Sequence, residues 1–280
     1  QRQMCIRDRI SMLSVDEAHC ISQWGQDFRP SYLKITEFVE QLPARPVIGA
    51  FTATATKEVR DDIEALLSLR GPVRLVTGFD RKNLKFTVQQ PKDKFAAVES
   101  FLAEHEADCG IIYCLTRKNV EEVCEKLEQK GYSVTRYHAG LSDLERKENQ
   151  EDFIYDRKQI MVATNAFGMG IDKPDVRLVI HLDLPDSIEA YFQEAGRAGR
   201  DGAQAYAVLL YQRHDRTRLM KRIPDTFPDK DAIREVYEHI CYYYQMAMGD
   251  GYNVTREFDL DEFCRNFKHF PVQTDSALHL

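Results

Sequence analysis

Residues 109–164 read CGIIYCLTRKNVEEVCEKLEQKGYSVTRYHAGLSDLERKENQEDFIYDRKQIMVAT. Three short apolar runs, 109–114, 133–138 and 159–164, alternate with longer segments, 117–130 and 142–155, whose apolar residues recur at helical spacing. Short apolar runs bounded by turn residues read as buried strands, and the periodic segments read as helices. Strands alternating with helices predict a parallel sheet covered on both faces. Working outward, VRLVIHLDL (176–184) and AYAVLLY (205–211) add two strands around a helical stretch at 187–194, and 92–105 adds a helix in front. The spacing thus predicts a doubly wound α/β domain over 86–214.

A similar alternation precedes it. ISMLSV (10–15) and PVIGAF (46–51) read as strands, 31–42 and 56–69 as helices, and PVRLV (72–76) as the segment that closes the unit. This predicts a first, shorter α/β domain over 10–85, with the link near 78–91. Residues 1–9, QRQMCIRDR, have no period and read as a tail foreign to the fold. Beyond Asp215 the character changes. Asp229–Met248 reads as one aromatic-rich helix, GDGYN (249–253) as a turn, and Asp259–Lys268 as a second helix, with ALHL (277–280) opening a third. Residues 215–280 are therefore expected to begin a separate, mostly helical region.

The 280 residues are 43% hydrophobic and 30% charged, with a net charge of −7. That balance excludes a simple basic DNA-coating protein, but not a motor that confines positive charge to one cleft. No apolar run approaches the roughly 18 residues of a membrane span, and no secretory signal is visible. Seven cysteines stand without a CxxC pair, which fits reduced thiols in an intracellular, cytoplasmic setting.

Two motifs carry chemistry. Asp16-Glu17-Ala18-His19 directly follows a predicted strand. A carboxylate there can hold Mg²⁺ through its waters, and its neighbour can deprotonate an attacking water. An acidic turn is the plainer alternative. The second motif is Gln193-Glu194-Ala195-Gly196-Arg197-Ala198-Gly199-Arg200, with two arginines three apart beside two glycines. A positioned guanidinium stabilises the charge that builds on a transferring phosphoryl group. A charged helix end is the plainer alternative here.

VDEAHCISQWGQDFRPSY (15–32), FTATAT (51–56), VATNAFGMGIDKPDVRLVIHLDLP (162–185) and YFQEAGRAGRDG (191–202) stand in the order found in RecQ-type superfamily 2 DNA helicases, which the chain resembles from about Ile10 to Tyr211. The resemblance implies two RecA-like motor domains with ATP between them, the first incomplete here. It implies that Asp16 organises Mg²⁺, Glu17 is the general base, and Gln193 and Arg197 contact the phosphates, with Arg200 as the arginine finger. Gly168, Gly170 and Asp172 resemble the segment that reaches the nucleotide from the second domain. ISQWGQDFRP (21–30) resembles the loop that couples DNA contact to hydrolysis. Trp24 and Phe28 offer faces for unstacked bases, and Arg29 can pair with a phosphate or an acid. Gln26 departs from the family's usual His. His19, Thr52 and Thr54 resemble elements linking the ATP and DNA sites. Tyr137, His138 and Thr164 resemble elements that touch the DNA backbone.

Two family features are missing from these residues. No GK dipeptide occurs, so there is no GxxxxGK[ST] phosphate-binding loop, which in the family lies upstream of DEAH. N-terminal truncation is the simplest account, and these 280 residues alone are expected to be inactive. Many family members also carry a four-cysteine zinc module after the motor. Only Cys241 and Cys264 lie in that region, so zinc is not expected. The expected cofactors are ATP and Mg²⁺, and the expected partner is single-stranded and partly duplex DNA. The implied activity is 3′→5′ unwinding in repair or recombination, close to the nucleoid if the source is bacterial. An RNA-directed enzyme of the same superfamily and a non-catalytic nucleic-acid-binding module are the alternatives.

Overall fold

Strand β1 (Met12–Val15) carries the first acidic motif at its C-terminal end and leads into a crossover connection. The structure is a computed structural model that describes residues 10–22, 28–78, 80–168, 171–252 and 255–279. The chain leaves β1 through a 3₁₀ turn at Ala18–Ile21. It then passes through helix α1 (Lys34–Glu40) and returns as β2 (Val47–Ala50). β2 pairs in parallel with β1, Met12 opposite Val47 and Val15 opposite Ala50. Helix α2 (Lys57–Leu66) comes next, its first turn capped by Thr56, whose Oγ1 accepts from Val59 N–H at 3.3 Å. Val15, Ala18 and Ile21 pack against Val59, Ile63 and Leu67 to form this core.

The chain divides into two compact units between Arg81 and Lys82. PVRLV is no strand: Val73 and Leu75 are 85% and 88% exposed, and among the described residues β1 and β2 pair only with each other. The second unit also starts earlier than the sequence pattern suggests. β3 (Leu84–Gln89) lies within the predicted link, yet it pairs in parallel with a strand more than a hundred residues later. Its exposed Phe86 and Val88 alternate weakly with polar residues, which hides an edge strand from a reading based on buried runs.

The remaining elements keep to the predicted alternation. They are α3 (Lys94–Glu104), β4 (Gly110–Tyr113), α4 (Arg117–Gln129), β5 (Val134–Tyr137), α5 (Asp143–Ile154), β6 (Ile160–Ala163), β7 (Leu178–His181), α6 (Ile188–Ala195) and β8 (Ala205–Leu210). The strands form one six-stranded parallel sheet in the order β3-β8-β7-β4-β6-β5. Alternate residues serve opposite faces. Ile112, Val162, Ile180 and Val208 pack with α3 and α4, whereas Ile111, Met161, Val179 and Ala207 pack with α5 and α6. Asp93, Thr116, Ser142 and Ser187 cap the helices with side-chain oxygens, and Ser142 and Glu145 complete a capping box. Every strand therefore ends at the same edge, where ligands of such sheets bind.

Four helices close the chain: α7 (Arg213–Thr226), α8 (Lys230–Tyr243), α9 (Leu260–Phe267) and α10 (Pro271–His279). They lie in the same compact unit as the six-stranded sheet and pack around a small core of their own. The sequence pattern does not predict α7, because its run of Arg213, Arg216, Arg218, Lys221 and Arg222 has little apolar period and Pro224 interrupts it. α8 stops at Tyr243, short of the expected Met248, and α10 begins six residues before the predicted ALHL.

Candidate functional site

In the first unit, Asp16 and Glu17 leave β1 on a sharp turn. Glu17 sits in the left-handed region, φ 47° and ψ 44°, an uncommon conformation for a side-chain-bearing residue that clusters at functional sites. Its N–H donates to Asp16 Oδ1 at 2.9 Å, which fixes one carboxylate oxygen at the strand end. Ala18 N–H donates to Phe51 O at 2.9 Å, and Phe51 N–H to Val15 O at 2.8 Å. These bonds lock the DEAH turn onto the start of FTATAT.

His19 completes the lock. It is buried, with Nδ1 2.9 Å from Thr52 Oγ1 and Nε2 3.8 Å from Cys20 Sγ. The Thr52 hydroxyl donates to Thr54 O at 3.0 Å and accepts from Thr54 N–H at 3.2 Å. Its single proton is thereby committed, so His19 Nδ1–H is the donor to Thr52. Glu17 Oε2 lies 3.3 Å from the same nitrogen without hydrogen-bond geometry and has no hydrogen-bond partner. Phe28 and Arg29 are half-buried, and Arg29 N–H donates to Cys20 O at 2.8 Å. Trp24 and Gln26 lie outside the described residues.

In the second unit, β5 and β6 pair with Tyr137 opposite Ala163, which sets His138 and Thr164 side by side at the sheet's C-terminal edge. Thr164 N–H donates to Tyr137 O at 3.1 Å. Gly140 N–H donates to His138 Nδ1 at 3.1 Å, and His138 Nε2–H donates to Glu121 Oε1 at 2.8 Å. Both imidazole nitrogens are thus engaged within the protein, and the side chain is buried. A Cβ on Gly140 would lie 3.1 Å from both His138 Nδ1 and Arg117 Cδ, so the loop needs a glycine there.

Gln193 and Glu194 end α6, and the two arginines come after them in a tight turn. Gly199 at φ +60° would bring a Cβ to 2.6 Å from Asn83 Nδ2, which itself donates to Gly199 O at 2.7 Å. Arg200 is exposed. Its Nη1 donates to Ile171 O and to Asp172 Oδ1, both at 3.1 Å. Arg197 is half-buried against Gly168, where a Cβ would sit 3.2 Å from Arg197 Nη2, and its Nε has no hydrogen-bond partner. The arrangement thus brings Arg197, Arg200, Gly168 and Asp172 together in one unit. Gly170 lies outside the described residues.

Sequence reasoning missed the layer beneath. Tyr113 donates to Phe167 O at 3.0 Å and stacks on His181 with ring centroids 5.4 Å apart. Burial pushes the Tyr113 phenol well above its ordinary range, against the lowering pull of the facing Arg197. His181 Nε2 meets Glu194 Oε2 at 2.9 Å, an interaction shut away from solvent. The signal was present: a histidine inside VRLVIHLDL requires a polar partner.

The family model of the helicase conserved C-terminal domain matches residues 93–202. The ATP-dependent DNA helicase RecQ of Bacillus subtilis is 47% identical over 206 residues, covering 74% of this chain and 35% of the relative. The RecQ-like DNA helicase BLM of Xenopus laevis is 44% identical over 283 aligned residues, covering 97% of this chain and 21% of the relative. The solved structure of S. cerevisiae Dbp5 bound to RNA and ADP BeF3 superposes with a TM-score of 0.60 at 23% identity, over 79% of this chain and 58% of that one, a likeness of fold. The chain therefore spans about a third of the length of the bacterial relative that it matches. The chain is 42–47% identical to these RecQ relatives over 74–97% of its length, and it belongs to the RecQ family of DNA helicases.

Proposed function

We propose that these residues supply part of the motor of an ATP-dependent DNA helicase that moves 3′→5′ along single-stranded and partly duplex DNA in repair or recombination. Asp16 holds Mg²⁺ and Glu17 takes the proton of the attacking water. Gln193, Arg197, Gly170 and Asp172 contact the nucleotide, and Arg200 meets the charge that develops on the γ-phosphoryl group. The Asp16 carboxylate suits a hard cation, since one oxygen is held by a backbone N–H at the strand end. Held there, Mg²⁺ would offset negative charge on the phosphates. DNA is held through phosphates near Arg29, His138 and Thr164, while Trp24 and Phe28 stack on bases. The exposed cations of α7 add positive charge to an otherwise acidic chain. Cytoplasmic placement, with access to DNA, belongs to the same reading.

The observation that carries it is the junction of DEAH with FTATAT. The general-base turn and the segment assigned to coupling share hydrogen bonds through His19 and Thr52, so a shift in one shifts the other. The test is ATPase activity of the full-length gene product with single-stranded DNA, with RNA, and with neither, at one fixed salt concentration. Stimulation by DNA is expected, and Trp24→Ala should remove most of it while leaving basal hydrolysis. Equal stimulation by RNA would favour the RNA-directed alternative. Nucleic-acid binding without hydrolysis would leave a non-catalytic module.

A further inference from the structure

We infer that Glu235, His239 and His269 form a binding site for one transition-metal ion of the zinc class. Their ligand atoms all lie within 4.8 Å of one another. Glu235 and His239 stand one turn apart on α8 and share a face. His269 reaches them from the turn after α9, where Lys268 takes a left-handed conformation, φ 60°. Its N–H donates to Cys264 O at 3.1 Å, which fixes the backbone.

Both imidazoles are oriented before any ion arrives. His239 stacks on Phe267 at 4.6 Å and 22°, and His269 stacks on the buried Phe263 at 5.6 Å and 8°. His239 Nδ1 and His269 Nε2 point at each other across 2.7 Å. Zn–N bonds of ~2.0–2.1 Å in tetrahedral geometry need the two nitrogens about 3.3 Å apart. A spread of roughly 0.6 Å, within small side-chain rotations, converts the contact into a chelate. Two imidazoles and a carboxylate suit Zn²⁺ and Co²⁺ better than Mg²⁺ or Ca²⁺, and the fourth position falls to water.

This ligand set differs from a four-cysteine module. Cys241 and Cys264 are buried apart from it, and the Cys264 thiol donates to Thr274 Oγ1 at 3.6 Å. The thiol count that argues against a cysteine site does not bear on imidazoles. A bound ion would staple α8 to the α9–α10 turn, around a small core of Val236, Phe263, Cys264 and Ala277.

The test is titration of the full 280-residue chain, free of any histidine tag and stripped with chelator, with CoCl₂ and then ZnCl₂. One Co²⁺ per chain with visible d–d absorption is expected, displaced by one Zn²⁺, with a rise in Tm on loading. His269→Ala should weaken binding at least about 100-fold, the upper end of the loss seen for an outer-shell partner. Glu235→Gln, on an exposed residue whose change leaves folding intact, should weaken it about tenfold or more. Cys241→Ser with Cys264→Ser should leave it unchanged. No stoichiometric uptake, or uptake that survives His239→Ala with His269→Ala in a chain whose circular dichroism is native, would overturn the site. So would unchanged affinity in Glu235→Gln, or uptake that depends on the cysteines.

Discussion

His19 Nδ1 lies 2.9 Å from Thr52 Oγ1, and that hydroxyl also closes a turn onto Thr54. One threonine thus holds together the end of the acidic motif and the segment after β2. Thr52→Val removes the acceptor and leaves a buried imidazole N–H unsatisfied, at a cost of about 1–3 kcal/mol. The thermal transition of the first unit should fall accordingly, and Thr52→Ser should restore it. In the full-length gene product, the ratio of DNA-stimulated to basal ATPase should fall with Thr52→Val as well. An unchanged ratio would remove the coupling role from this contact.

The 280-residue chain alone should hydrolyse ATP negligibly. Its sequence contains no GxxxxGK[ST] loop, so β- and γ-phosphates lack a cradle of backbone amides and a lysine. Robust turnover by the purified chain, abolished by Glu17→Gln, would contradict this.

Asp201 stands directly after the second arginine and pairs with Arg177 just before β7, with Arg177 Nη1 3.0 Å from Asp201 Oδ1 and Nη2 on the other oxygen. Arg177 holds the Asp201 carboxyl below the ordinary aspartate value of 3.8. A depressed carboxylate adds stability above the unfolded value, and that contribution is lost as pH falls through the folded one. An NMR titration should place the Asp201 midpoint below 3.8, and Arg177→Gln should raise it. A midpoint that does not respond to Arg177→Gln would remove the ion pair as its cause.

The six described cysteines are buried and reduced. Burial pushes the Cys109 and Cys124 thiols to about 11, and Cys114 beyond them. Thiolate is the reactive form, so alkylation at pH 8 should be slow at all three in the native chain and complete in denaturant. Rapid native alkylation of Cys114, mapped by mass spectrometry, would contradict its placement in the core.

The features legible in the sequence were those with a strong local signature. β4, β6 and β7 are buried at every position, so their apolar runs stood out. β3 did not stand out, because its partner β8 is supplied from more than a hundred residues away and no local pattern encodes that pairing. The same holds at the site. DEAH and the paired arginines were readable as motifs. The Arg200–Asp172 pair and the His181–Glu194 contact beneath Arg197 depend on how the sheet edge brings separate segments together. His138 was readable as a family position, but its commitment to Glu121 and Gly140 was not.

In the proposed function the arginine turn serves phosphoryl transfer. Arg200 rests on Asp172 and Ile171 O, exposed and positioned within its own unit. A group that meets charge only in the transition state affects kcat and leaves substrate affinity alone. The most direct measurement is therefore kcat and ATP affinity of the full-length gene product carrying Arg200→Ala, with saturating single-stranded DNA. A fall in kcat of about 10³-fold or more with nearly unchanged nucleotide binding is predicted. Lost ATP affinity with little change in kcat would contradict it, making Arg200 a ground-state contact and Arg197 the candidate finger.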